Sequence, residues 1–272
     1  MRLTLVWDFS KYRKCSSLTG KDLKLLQKRS EIIKLDEEIR SHLSVASGKC
    51  DIRLVTTPTH WSHVHSLVSR DLARLPILGL DCEWVEQKGR TSPPLLLQLS
   101  SVSGLCVLVR LCQMTSIPAS LMDLMARRDV YKVGVGVMDD KSRLKSHHKM
   151  NVAKCVDIRH LVVNLWTDPG KLGLESLASH ILGVKMDKDW RIKASDWGAD
   201  TLTQRQVNYA ANDALVGLNM TWVILSDQLT RTLSENIRHD DTILHRELTE
   251  NVSKIMDSYA GLEFRHRKKE KT

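Results

Sequence analysis

Three apolar runs follow one another at short intervals in the first half of the chain: Ile77-Leu78-Gly79-Leu80-Asp81-Cys82-Glu83-Trp84-Val85, Pro94-Leu95-Leu96-Leu97-Gln98-Leu99 and Leu105-Cys106-Val107-Leu108-Val109. Gly and Ser turns separate them, so they read as consecutive short strands of an antiparallel meander. After Pro118 the texture changes. Leu121, Leu124 and Met125 follow a helical period, Val130 to Val137 reads as a strand again, and the alternation continues through Cys155 to Leu161. A meander that feeds into alternating helices and strands requires an α/β domain with a mixed sheet.

The flanks extend this pattern. Ile52-Arg53-Leu54-Val55 is a further strand signal, and Thr57-Pro58-Thr59 opens a helix through Trp61 and Val64 to Leu72. Leu172 to Leu182 reads as a helix and Asp187 to Asp200 as a charged loop. Thr203-Gln204-Arg205-Gln206 has the form of a capping box at the head of a long helix running to about Leu225. Between Lys21 and Leu43 the spacing of Leu25, Ile32, Leu35 and Ile39 predicts an amphipathic helix. That helix either packs on the following domain, forms a short homodimer seam or serves as a targeting segment. The tail from Leu229 to Tyr259 reads as helical and ends in the basic run Arg265 to Lys271. The expected division is an N-terminal helical extension at 1–50, a central domain at 52–225 and a C-terminal helix with basic tail at 226–272.

Hydrophobic residues at 42% and charged ones at 27% suffice for a full core and exclude a wholly disordered chain. The formal charge of +9 favours an acidic partner such as nucleic acid. The six cysteines contain no C-x-x-C pair and read as reduced thiols. No run approaches the roughly 18 apolar residues of a membrane span, and the opening Met1 to Asp8 breaks off too early for a secretory segment. A soluble intracellular protein without a membrane partner is expected, in the nucleus or cytoplasm, with the mitochondrion also open.

The chemistry concentrates in acids. Asp81 and Glu83 are alternate residues of a strand, so both carboxylates project from one face; the plain alternative is a solvated strand edge. Tyr209 and Asp213 stand at i and i+4 of the long helix and can address one site, with Ala210 and Ala211 between them allowing close approach to a strand; the plain alternative is a packed phenol beside a surface acid. Gly134-Val135-Gly136 runs into Asp139-Asp140, where the third glycine of a dinucleotide loop is missing. The plain role for an acid there is a helix cap. Four or more carboxylates confined together require cations, and an all-oxygen donor set suits Mg²⁺ or Mn²⁺. A pair of such ions activates water for phosphodiester hydrolysis.

The order D-x-E, G-V-G-x-x-x-D, Y-x-x-x-D resembles the DEDDy 3'-5' exonuclease family, which includes ribonuclease D and the Werner syndrome exonuclease domain, over residues 52–225. Leu97-Gln98-Leu99, Leu174 to Ala178 and Ser195-Asp196-Trp197 add to the likeness. The resemblance implies a ribonuclease H-like (DnaQ-like) α/β fold, a mixed central sheet flanked by helices, here with helical N- and C-terminal extensions. It also implies two divalent metal ions, Mg²⁺ or Mn²⁺, held by Asp81, Glu83, Asp140 and Asp213, with Tyr209 orienting the attacking water. The substrate implied is single-stranded DNA or RNA with a free 3' end. Lys188, Trp190, Arg191, Lys193 and Trp197 of the charged loop, together with Lys171, are the candidate nucleic-acid contacts, cations for phosphates and indoles for bases. Both tryptophans have core anchoring as the alternative. Competing readings are a catalytically weak nucleic-acid-binding or scaffold module of the same fold, and an endonuclease or integrase.

Overall fold

The structure, a computed structural model, describes residues 34–42, 47–87, 90–165, 170–187, 189–235 and 244–264. Lys188, residues 21–33 of the expected N-terminal helix and the basic run from Arg265 lie outside them.

A six-stranded sheet forms the centre, in the order β1 (Asp51–Val55), β6 (Leu105–Arg110), β5 (Leu96–Ser100), β2 (Ile77–Glu83), β7 (Tyr131–Gly134), β8 (Cys155–Asp157). The pairs β2–β5 and β5–β6 are antiparallel, the expected meander, while β2–β7, β7–β8 and β1–β6 are parallel. This is the mixed ribonuclease H-like sheet. A small hairpin of β3 (Glu86–Gln87) and β4 (Arg90–Thr91) follows the end of β2.

Helices α2 (Pro58–Arg74), α3 (Ala119–Ala126) and α4 (Val137–His148) cover one face, burying Trp61, Val68, Leu121 and Leu144 with Leu78, Leu80 and Leu97 of the strands. The start of α2 is set locally: Thr57 accepts from the His60 amide and Pro58 follows it. The other face carries α5 (Ile158–Leu165), α6 (Leu174–Leu182), α8 (Gln204–Glu235) and α9 (Leu244–Asp257). The N-terminal helix α1, residues 34–41, joins this second face, with Leu35 and Ile39 in its core. Glu38 pairs with Arg74 at 2.9 Å and Asp36 accepts from the Trp222 indole at 3.1 Å.

Three boundaries differ from expectation. The strand expected from Val130 to Val137 ends at Gly134, because Gly136 takes the left-handed conformation (φ 78°) and Val137 already opens α4. The charged loop contains the short helix α7 (Trp190–Lys193), capped by Asp189. Helix α8 continues beyond Leu225 to Glu235, so the expected boundary at 225–226 falls inside a helix. Among the described residues, no helix is long and apolar enough to cross a membrane.

Candidate active site

Strand β2 has an antiparallel neighbour on one side and a parallel neighbour on the other. Its pairing with β7 stops at Gly79, while its pairing with β5 runs on to Glu83. The carboxyl end of β2 therefore runs on past its pairing with β7, at the kind of position where open α/β sheets bind ligands. Asp81 is half-buried and Glu83 buried there, so a central strand rather than a solvated edge carries both acids.

Close approach of α8 completes the site. A Cβ on Gly79 would lie 2.0 Å from the carbonyl oxygen of Ala214 and 2.2 Å from Ser100 Oγ, so the helix backbone rests directly on the strand. Ser100 Oγ donates to that same carbonyl at 2.8 Å. Ala210, Ala211 and Ala214, all fully buried, keep the interface thin. The start of α8 is the expected capping box: Gln206 N donates to Thr203 Oγ1 at 3.2 Å, and Thr203 N donates to Gln206 Oε1 at 2.9 Å. One turn on stands Tyr209 and two turns on Asp213; the phenol feels the charges of Asp213 and of Glu83 and Asp81 at the end of β2.

Asp140 arrives from a third element. Neither it nor Asp139 caps α4, whose N-cap is Gly136 without a side-chain bond. Asp139 is exposed, whereas Asp140 is buried and its Oδ1 has no hydrogen-bond partner. Burial, then the charges of Asp81 and Asp139, push the Asp140 carboxyl well above the usual carboxylate range. Burial, then Asp213, Glu83, Asp81 and Asp187, push the Tyr209 phenol above its ordinary value of 10.0. Burial, then Asp140, Asp81 and Glu83, push the Cys82 thiol up as well. These mutual effects bring Asp81, Glu83, Asp140, Tyr209 and Asp213 into one electrostatic neighbourhood.

Among the described residues no three acid, His or Cys side chains are drawn in tightly enough to enclose an ion in the conformations present. The donor set nevertheless fits a hard cation. It is all oxygen, like-charged and confined, and one buried carboxylate oxygen is unsatisfied.

A family model described as 3'-5' exonuclease matches residues 62–234. The chain belongs to the 3'-5' exonuclease family. Exonuclease 3'-5' domain-containing protein 2 of Homo sapiens is 36% identical over 217 residues, covering 77% of this chain and 34% of the human protein. Its Drosophila melanogaster counterpart is 38% identical over 171 residues, covering 63% and 29% respectively. The crystal structure of the EXD2 exonuclease domain soaked in Mn is 34% identical, covers 70% of this chain and 100% of that one, and superposes with a TM-score of 0.42. The chain spans about a third of the length of the curated relatives it matches.

The exonuclease family match embraces the whole acid cluster, but the expected substrate residues separate. Trp197 is a correction: it is fully buried, its indole donates to Lys193 O at 3.1 Å, and its ring packs on Tyr209 with centroids 6.1 Å apart. It supports the phenol and offers no face to a base. Arg110, itself buried, holds this loop by donating to Ala199 O at 2.5 Å. Trp190 is 74% exposed at the head of α7. Lys171 and Lys193 are exposed. Arg191 is exposed but tied to Asp189 at 2.9 Å.

Several contributors were not singled out from the sequence. Gly79 had a local signal, a glycine inside a strand, which marks close backbone approach. Arg143 stacks on Trp84, 4.2 Å from the ring centroid, and its charge counters the upward push on Asp140. Arg205 pairs with Asp187 at 2.9 Å on the same side of α8 as Tyr209. No local pattern announces either contact.

Proposed function

We propose that the chain is a metal-dependent 3'-5' exonuclease that removes 5'-nucleoside monophosphates from the 3' end of single-stranded DNA or RNA. The observation that carries this reading is the convergence of Asp81, Glu83, Asp140 and Asp213 with Tyr209 at the overhanging end of β2. The four carboxylates would hold two divalent ions, Mg²⁺ or Mn²⁺, which when bound supply Lewis-acid charge at the attacking and leaving oxygens. Burial, and then the neighbouring carboxylates, oppose ionisation of the Tyr209 phenol. It donates a hydrogen bond that aims the attacking water, and it does not act as a base. Trp197 fixes the phenol from behind. The exposed indole of Trp190 stacks a base near the 3' end, and Lys193 and Lys171 hold phosphates.

The test is a time course on 5'-labelled single-stranded DNA and RNA of matched sequence with Mg²⁺ or Mn²⁺. Wild type should shorten the strand stepwise from its 3' end, and EDTA should stop it. The Asp81→Asn, Asp213→Asn double variant should fold but lose about 10³-fold or more, the scale of removing preorganised charge from a transition state. A folded wild type that binds both strands without shortening them would favour the binding module. Cleavage of a circular single strand would favour an endonuclease.

A further inference from the structure

The chain continues past the family match, which ends at residue 234, into α9 and the segment 258–264. This stretch closes the free edge of β8, the outermost strand of the sheet. Asp257 Oδ1 accepts from the Tyr131 hydroxyl at 2.5 Å and from Lys154 Nζ at 2.6 Å. Gly261 N donates to Cys155 O of β8 at 2.7 Å. Beyond Gly261, the ring of Phe264 lies against Arg159, with Cζ 4.5 Å from the ring centroid, and meets His160 edge-on at 5.1 Å and 71°.

Arg159 is thereby held between an aromatic ring and a carboxylate. Its Nε donates to Asp157 Oδ1 at 2.9 Å, its Nη2 to Oδ2 at 2.5 Å, and its backbone amide to Oδ1 at 3.1 Å. Asp157 is fully buried at the end of β8. Its Oδ2 also accepts from the backbone amide of Gly136 at 3.1 Å. Gly136 is the left-handed N-cap of α4: its carbonyl accepts from the Asp139 amide at 2.9 Å, and its own amide, which the helix leaves without a partner, is anchored by the neighbouring strand's carboxylate. Four residues on stands Asp140, with its unsatisfied buried oxygen. A guanidinium that both stacks and forks has few alternative geometries, so the carboxylate it grips is fixed, and with it the turn that carries Asp140.

The geometry points to residues 244–264 as part of the active unit: Phe264, by holding Arg159 on Asp157, is a positioning residue for Asp140. The inference rests on the exonuclease reading above. Its experiment uses the full chain with Phe264→Ala, Phe264→Tyr and Arg159→Lys. Three quantities are read: kcat and KM on a labelled single strand, Mn²⁺ affinity by calorimetry without nucleic acid, and amide exchange at Gly136. Phe264→Ala should lower kcat and Mn²⁺ affinity by about tenfold, the low end of what groups behind metal ligands contribute. KM should hold and Gly136 exchange should quicken. Phe264→Tyr, which keeps the ring, should restore all three, and Arg159→Lys, which cannot fork, should reproduce the loss. Unchanged kcat, Mn²⁺ affinity and Gly136 exchange in Phe264→Ala, even with a lower Tm, would overturn the proposal. A wild type without turnover would instead count against the exonuclease reading, leaving Mn²⁺ affinity and exchange to decide the role of Phe264.

Discussion

Adding one methyl group at Gly79 should separate the two halves of the site. The new Cβ would stand 2.0 Å from Ala214 O, 2.9 Å from Ala214 C and 2.2 Å from Ser100 Oγ, whereas real Cβ contacts essentially never fall under 3.0 Å. The Ser100 hydroxyl can rotate away, losing its 2.8 Å bond to the Ala214 carbonyl, worth about 1 kcal/mol. The carbonyl is helix backbone and cannot yield alone, so α8 must withdraw by about 1 Å, with an overpacking cost of about 1–3 kcal/mol. The sum, about 2–4 kcal/mol, lowers Tm by about 5–15 °C for a domain of this size. Asp213 and Tyr209 ride on the same helix, and a misplacement of about 1 Å costs on the order of 10² in rate. Gly79→Ala should therefore fold, melt early and turn over about 100-fold more slowly, with KM little changed. Gly217→Ala on the same helix is the contrast. Its Cβ would meet Ile158 Cδ1 and Val133 O at 3.6 Å, an ordinary contact, and the helix should gain about 0.5–1 kcal/mol. Calorimetry and single-strand degradation kinetics measure both. A Gly79→Ala protein as stable and active as wild type would refute the claim that backbone contact with β2 seats α8.

Two further outcomes are expected. Asp140→Asn should raise the metal-free melting midpoint at pH 8: with the Asp140 pKa raised above its ordinary 3.8, stability is full below that value and declines as pH climbs toward the raised one. The gain should be about 1–2 kcal/mol, and the variant should lose the stabilisation that wild type draws from Mg²⁺ or Mn²⁺; a metal-free midpoint below wild type would contradict this account. Trp190→Ala should raise KM through the loss of about 1–3 kcal/mol of stacking while leaving kcat and Tm in place, so an unchanged KM in steady-state kinetics would remove the indole from the substrate path.

Local rules carried much of this protein. Short apolar runs bounded by Gly and Ser turns predict β2, β5 and β6, the Thr203–Gln206 box marks the start of α8, and the spacings of Asp81 with Glu83 and of Tyr209 with Asp213 place each pair on one face. All of these depend on residues within a few positions of each other, where backbone geometry alone dictates direction. Tertiary packing decided the rest. Trp190 and Trp197 are seven positions apart in one loop, yet one is exposed and the other buried against Tyr209. Asp139 and Asp140 are neighbours, and only contact with β2 and burial distinguish them. The links from Phe264 through Arg159 and Asp157 to Gly136, and from Ser100 to Ala214, join elements far apart in the chain. Periodicity has a reach of a turn or two, whereas burial and the pairing of charges follow from which distant surfaces the fold brings together.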